Sequence, residues 1–203
     1  MMTKKDSLFI VLFSIILCNY HLAQNNDANL LFKNQVKLND IGFVVAPGFA
    51  ITKMDGSTAS LFSLHGGLSL NDKVSFGAYF RSSLNQIKPQ SETIQNIYLD
   101  YWTTGGFFDY TMFSKKAVHL NFPVFFGYGE VEMDNDFGNA GLGEAHFFQL
   151  EPAVNLELNL HQYMRFNIGA GYRIVGQMNY RNFNQSDISG LNMYLGLKFG
   201  LFR

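Results

Sequence analysis

Hydrophobic and polar residues alternate along most of this chain. Between residues 146 and 160, one parity carries Phe148, Leu150 and Leu156, and the other carries Gln149, Glu151 and Glu157. Alternation with a period of two predicts β-strands that present different faces to two environments. Eight such segments are predicted, with approximate spans 41–53, 58–70, 73–83, 97–113, 118–132, 146–160, 164–176 and 191–202.

The lengths of these segments and of their connections predict the architecture. The segments exceed the usual soluble strand of about 5–6 residues and approach the roughly 9–11 residues that cross a bilayer at a tilt. Connections at 71–72, 114–117 and 161–163 are short, whereas those at 84–96, 133–145 and 179–189 are long and mostly polar. We therefore predict an all-β fold, an eight-stranded antiparallel up-and-down transmembrane β-barrel over residues 41–203.

Alternation alone does not say which parity lies inside, because a soluble barrel buries its apolar parity and a membrane barrel turns it toward lipid. Here the polar parity is mostly Gly, Asn, Ser and Ala, with a few charges of both signs. Small residues suit a narrow lumen better than a water-facing surface. The alternative is a secreted lipocalin-like barrel that binds a hydrophobic ligand.

The charged residues of the polar parity predict an enclosed network. A three-residue loop around His161 would place Glu157 diagonally from Arg165 and Glu151 opposite Arg173. In the segment 97–113, the apolar parity shifts across Gly105 and Gly106, which predicts a bulge there. This puts Asp100 in the lumen and Tyr101 in an outer aromatic girdle. The predicted lumen charge network is Arg81, Asp100, Glu151, Glu157, Arg165, Arg173 and Lys198.

The N-terminus has the pattern of a secretory signal peptide. Lys4 and Lys5 precede an apolar run from residue 8 to 17, and the small residue Ala23 is followed by polar residues. We predict a signal peptide at 1–23 and a short periplasmic segment at 24–40. Cleavage would remove Cys18, which is the only cysteine, so disulfide chemistry is not expected.

Composition and motifs narrow the possible functions. A net charge of −1 provides no basic field for nucleic acid. His65, His119, His146 and His161 are scattered without zinc-like spacing, and no glycine-rich phosphate loop is present, so no metal or cofactor is predicted. Glu144 and His146, at the foot of a long loop, are the best acid–base pair for an enzyme of the lipid A-modifying kind.

The C-terminal sequence YLGLKFGLFR carries a further signal. Tyr194, Gly196, Phe199 and Leu201 resemble the terminal-strand signal that the barrel assembly machinery recognises. With the stretch from 147 to 174, the chain resembles small outer-membrane β-barrel proteins common in Bacteroidota, of the OmpA/OmpX-like eight-stranded type. The resemblance implies a monomer in the outer membrane, in contact with lipid and lipopolysaccharide, with both termini in the periplasm.

These features favour a structural, adhesive or small-solute role without a wide pore. The interior of an eight-stranded barrel is just filled by its own side chains. The alternatives are a lipid A-modifying enzyme barrel and the secreted lipocalin-like binder. Neither the residues nor the resemblance identifies a catalytic residue.

Overall fold

Ten strands and one short helix make up the described part of the chain. The computed structural model describes residues 41–94, 96–135 and 142–202, so the predicted signal peptide and the segment 24–40 lie outside the described residues. All eight predicted strands are confirmed, with ends that differ by at most a few residues. They are β1 Ile41–Met54, β2 Ser57–Leu70, β3 Val74–Ser83, β4 Ile97–Met112, β5 Val118–Asn135, β6 Glu144–His161, β7 Met164–Val175 and β10 Gly190–Gly200. Between β7 and β10 lie β8 Asn179–Tyr180, β9 Phe183–Asn184 and helix α1 Gln185–Ile188.

The eight long strands close into a single antiparallel barrel. The order around the barrel is β1, β10, β7, β6, β5, β4, β3 and β2, so β1 pairs with both β2 and β10. Closure leaves these strands without a free edge. Among the described helices, none has the length and apolar character needed to cross a bilayer.

Connections of two kinds distinguish the two ends of the barrel. The turn end, with connections at 71–73, 113–117 and 162–163, also holds the start of β1 and the end of β10. The loop end carries the connections that follow β1, β3, β5 and β7. Asp55 and Gly56, with φ of +43° and +75°, form the two-residue turn between β1 and β2 at the loop end. Such a turn matches the right-handed twist of the strands that it joins.

Most of the outer wall is apolar. Large hydrophobic side chains project outward from every barrel strand, and examples on six of them are Phe43, Phe76, Leu120, Leu156, Ile168 and Leu195, each at least 36% exposed. The residues of opposite parity are buried in the interior. An apolar wall around a closed barrel is the arrangement that a bilayer requires, because strand-to-strand hydrogen bonds satisfy the backbone without water and the barrel has no open edge.

At the loop end the pattern is inverted. Leu99, Tyr101, Val131 and Met133 point inward and are at most 1% exposed, as part of an apolar core. Asp100, between two of them, is exposed on the outer wall. The register of β4 with both neighbours runs without a shift through Gly105 and Gly106. The predicted bulge is therefore wrong, and with it the placement of Asp100 in the lumen and Tyr101 in the girdle.

The loops at this end fold over the apolar core and cover it. Ile87, in the loop before β4, bridges to Leu99, and Ile188 of α1 is fully buried. The backbone N–H of Asp55 donates to the carbonyl oxygen of Asp187 at 2.7 Å. The side-chain carboxylate of Asp55 accepts from the N–H of Ser91 at 2.7 Å. We call residues 84–94 and 176–189 the loop cap. Because the loop cap excludes water, apolar side chains are stable inside the barrel here.

Candidate functional site

A buried ion pair lies near the middle of the barrel interior. Nη1 of Arg81, on β3, donates to both carboxylate oxygens of Glu151, on β6, at 2.7 and 2.8 Å. Both side chains are fully buried. The strands β3 and β6 are not neighbours, so this pair spans the interior. Asn192 donates to Oε2 of the same carboxylate at 2.5 Å, and the hydroxyl of Tyr194 donates to Oε1.

Aromatic and amide groups complete this level of the interior. Tyr101 donates to Oε1 of Gln149 at 2.8 Å, and Nε2 of Gln149 donates to the hydroxyl of Tyr79 at 2.9 Å. The guanidinium of Arg81 lies 5.1 Å from the centroid of the Phe125 ring. We call Tyr79, Arg81, Tyr101, Gln149, Glu151, Asn192 and Tyr194 the central layer. Its members come from four strands, β3, β4, β6 and β10, and lie across the interior of the barrel.

Arg173 does not pair with Glu151, contrary to the sequence-based prediction. Its Nε donates to the carbonyl oxygen of Ile188 at 2.8 Å, and its Nη2 donates to the hydroxyl of Thr52 at 3.4 Å. The guanidinium also lies 5.0 Å from the centroid of the Tyr101 ring. The predicted register is right, but the side chain of Arg173 extends toward the loop cap. It therefore ties the loop cap to the barrel wall.

A second charged cluster lies between the central layer and the turn end. Nζ of Lys198 lies 2.5 Å from Oε1 of Glu157 and 3.2 Å from Oδ2 of Asp109. Nη1 of Arg165 lies 3.7 Å from Oε2 of Glu157, in the diagonal position that the register predicts. His119 places Nε2 3.1 Å from Oε2 of Glu157. We call Asp109, His119, Glu157, Arg165 and Lys198 the lower cluster.

Six of the seven predicted network residues lie in the interior, at three places. Arg81 and Glu151 are in the central layer, Arg165, Glu157 and Lys198 are in the lower cluster, and Arg173 is under the loop cap. Asp100 is outside, and Asp109 is the inward carboxylate of β4. Asp109 was missed as a network member. His119 lies on the polar parity near the turn end, which predicts a hydrogen-bonded lumen histidine, but it was not included in the predicted charge network. If the same alternation had been assumed throughout β4, Asp109 would have been predicted to face the interior, because it is ten residues from Leu99 and hence on the same face.

A small cavity lies in the interior beside the central layer. Its volume is about 30 Å³, and it is bordered by His65, Arg81, Asn155 and Asn167 among others. One water needs roughly 10–15 Å³ of such volume, so the cavity has room for about two. Two of the bordering residues carry polar atoms without a protein partner, namely Nε and Nη2 of Arg81 and Oδ1 of Asn155.

An ion pair connects the two segments of the loop cap. Nε of Arg181 donates to Oε2 of Glu92 at 2.9 Å. Desolvation raises the pKa of Glu92, but the hydrogen bond from Arg181 and those from the N–H groups of Ile94 and Thr93 outweigh it. The net result is a pKa of Glu92 below its ordinary value. This pair, which we call the cap ion pair, holds the loop before β4 against the loop after β7.

On the outer wall at the loop end, two strands bring a histidine and two carboxylates together. Nδ1 of His146 lies 3.3 Å from Oε2 of Glu130, and Nε2 lies 3.2 Å from Oε1 of Glu144. The sequence pattern singled out Glu144 and His146 but not Glu130. Within the described residues, the polar partners of His146 are carboxylates, and a serine nucleophile is not among them.

Comparison with known proteins identifies the fold. No protein-family model and no curated protein matches the chain. Neisserial surface protein A (NspA) superposes with a TM-score of 0.60 at 10% identity, over 79% of this chain and 96% of that one. The barrel has the fold of small outer-membrane β-barrels. OprG of Pseudomonas aeruginosa superposes over 80% of this chain and 96% of its own, with a TM-score of 0.46 and 11% identity. Ail of Yersinia pestis superposes over 79% of this chain and 97% of its own, with a TM-score of 0.41 and 13% identity.

The predicted assembly signal lies on β10 and just beyond it. Tyr194 and Gly196 face the interior, where Tyr194 donates to Glu151. Phe199 and Leu201 project outward and are 42% and 43% exposed. Both outward side chains lie at the turn end. Recognition of these four residues by the assembly machinery stays a prediction.

Proposed function

We propose that this protein is a closed, non-conducting barrel of the outer membrane that acts through its outer surfaces rather than through its lumen. The observation that carries this proposal is the filled interior. The central layer occupies the barrel cross-section, and the apolar core and loop cap lie above it. A hydrated solute would have to displace the buried ion pair of Arg81 and Glu151, which is costly.

The orientation follows the general pattern of bacterial barrels, in which short turns face the periplasm and longer loops face outward. Both ends of the described chain lie at the turn end and are therefore proposed to be periplasmic. The loop cap then faces the exterior. Its defined fold, held by the cap ion pair and by the contacts of Asp55, suits a structural or adhesive surface better than a mobile gate.

Conductance across a planar lipid bilayer tests the closed-barrel proposal. The refolded protein is expected to give no steady current, and vesicles that contain it should retain an entrapped small dye. A known porin prepared in the same way provides the positive control. Reproducible open-channel steps from the unmodified protein, with lipid insertion confirmed by protease protection, would contradict a closed interior.

A parallel assay addresses the enzymatic alternative. Mass spectra of lipid A from cells that express the protein are expected to match those from cells that express a His146→Ala variant. A new lipid A species that depends on His146 would refute the non-enzymatic proposal.

A further inference from the structure

The inference concerns the outer wall at the loop end, above the apolar band. Glu130 on β5 lies directly opposite His146 on β6, and Glu132 lies opposite Glu144. One donor atom from each of Glu130, Glu144 and His146 can be chosen so that all three lie within 4.8 Å of one another. The pairing of two adjacent strands sets this convergence.

The imidazole of His146 makes this set different from a simple group of carboxylates. A neutral imidazole has one N–H and one lone pair. Both ring nitrogens of His146 lie close to carboxylate oxygens, at 3.3 Å and 3.2 Å. In either neutral tautomer, the ring nitrogen without a proton therefore lies beside an anionic oxygen, and this arrangement is unfavourable unless a cation lies close to both groups. That cation is either a second proton on the ring or a metal ion.

The distances suit a metal ion. Metal–ligand bonds of about 2.0–2.2 Å in a tetrahedral zinc site give roughly 3.3–3.6 Å between neighbouring donor atoms. Of the two N···O separations of His146, 3.3 Å lies at the lower end of this range and 3.2 Å lies just below it. One carboxylate would share the metal with the ring, and the other would accept the remaining N–H. A carboxylate in that outer position fixes the tautomer and orients the ring.

Two aromatic side chains hold these groups in place. Nε1 of Trp102 donates to Oε1 of Glu130 at 3.1 Å, so only the other oxygen of Glu130 faces His146. The ring of Tyr128 lies 5.2 Å from the ring of His146, centroid to centroid. The ligands are therefore partly ordered before any ion binds, which lowers the entropic cost of binding.

The side of the site away from the barrel is open. The Glu130 side chain is 17% exposed, whereas His146 and Glu144 are 45% and 55% exposed. An adjoining groove of about 320 Å³ is lined by Asp100, Trp102, Glu130 and Glu132 among others. The additional carboxylates favour a cation, and the open side leaves coordination positions for water.

We propose that Glu130, Glu144 and His146 bind a divalent transition-metal ion of the zinc class on the outer wall. An imidazole donor favours zinc and its neighbours over calcium and magnesium, which prefer oxygen ligands alone. This inference is independent of the closed interior, because the site faces away from the lumen.

The test is a titration of untagged, refolded protein in detergent with Zn²⁺ alone at neutral pH. Binding is followed by calorimetry and by the fluorescence of Trp102, which is the only tryptophan and contacts Glu130. We expect one ion per barrel with a saturable fluorescence change. The variant Glu130→Gln should weaken binding roughly 10- to 100-fold, the range for loss of a group that orients a ligand, and His146→Ala should weaken it at least as much. Binding should also weaken at pH 5, because protons compete for the ring.

The matched control is His161→Ala, which removes an exposed histidine at the turn end and should leave Zn²⁺ binding unchanged. Circular dichroism of each variant confirms that the barrel is folded. Absence of saturable Zn²⁺ binding to the unmodified protein would refute the site. Equal binding by His146→Ala, or an equal response to Ca²⁺ that does not depend on His146, would reduce it to an ordinary acidic surface and overturn the proposal.

Discussion

Breaking the ion pair between Arg81 and Glu151 is expected to destabilise the barrel strongly. The variant Glu151→Gln keeps the size of the side chain but removes the charge that faces the guanidinium. Arg81 is fully buried, and its Nε and Nη2 already have no protein partner. The cation would keep its contacts with aromatic rings and one hydrogen bond to the neutral amide oxygen, but it would lose its counter-charge. Loss of one partner of a buried pair costs about 3–5 kcal/mol, because the remaining charge stays desolvated.

A double-mutant cycle separates this cost from lost packing. Arg81→Met with Glu151→Gln removes both charges, so the double variant should be more stable than the sum of the single losses predicts, by about 1–3 kcal/mol. Urea unfolding in lipid vesicles, followed by Trp102 fluorescence, measures the free energies. Trp102 is a suitable probe because it lies on the outer wall, away from the mutated pair.

The same cycle with Arg173→Met in place of Arg81→Met is the control. Arg173 binds Ile188 and Thr52 rather than Glu151, so its coupling to Glu151 should be much smaller. Additive losses for Arg81 and Glu151, or a larger coupling of Glu151 to Arg173, would show that the interior pairing described above is incorrect.

Three further outcomes are expected. In a Cys18→Ser background, Leu156→Cys on the outer wall should react with a lipid-soluble thiol reagent, and Asn155→Cys in the interior should not. Labelling of Asn155→Cys but not of Leu156→Cys would show that the inner and outer faces are assigned the wrong way round. Gly67→Ala should cost at least about 1–3 kcal/mol, because its Cβ would overlap the carbonyl oxygen of Phe76, whereas Gly190→Ala meets only an ordinary contact and should have little effect on unfolding. The pKa of Glu92 is lowered on folding, so the cap ion pair stabilises fully above the unfolded carboxyl pKa of about 4.3 and is lost as pH falls through the folded value. Proteolysis of the loop cap should therefore be faster at low pH than at neutral pH in the unmodified protein, whereas Arg181→Gln should be cleaved readily at both. If the two proteins are cleaved at the same rates at both pH values, the cap ion pair is not a stabilising contact.

The sequence by itself determined the strands, their order and the nature of the outer wall. Period-two alternation is a local property, and each segment such as 146–160 carries it completely, so strand positions could be predicted to within a few residues. The diagonal placement of Arg165 and Glu157 could also be predicted, because they belong to adjacent strands joined by a short turn. Register within a hairpin depends on neighbouring residues alone.

Only the tertiary structure decided which residues meet inside the barrel. Arg81 and Glu151 lie on strands that do not pair, so their contact depends on the diameter and closure of the barrel. The inward position of Tyr101 and the outward position of Asp100 depend on the loop cap, which makes the loop end of the interior apolar. Alternation distinguishes two faces of a strand, but the environment of each face is set by distant segments of the chain. Those segments come together only when the barrel closes, and for that reason the lumen partners could not be predicted from spacing. Glu130, Glu144 and His146 lie on adjacent strands, but the long connection between β5 and β6 does not fix the register of this pair, so spacing alone did not bring Glu130 to His146.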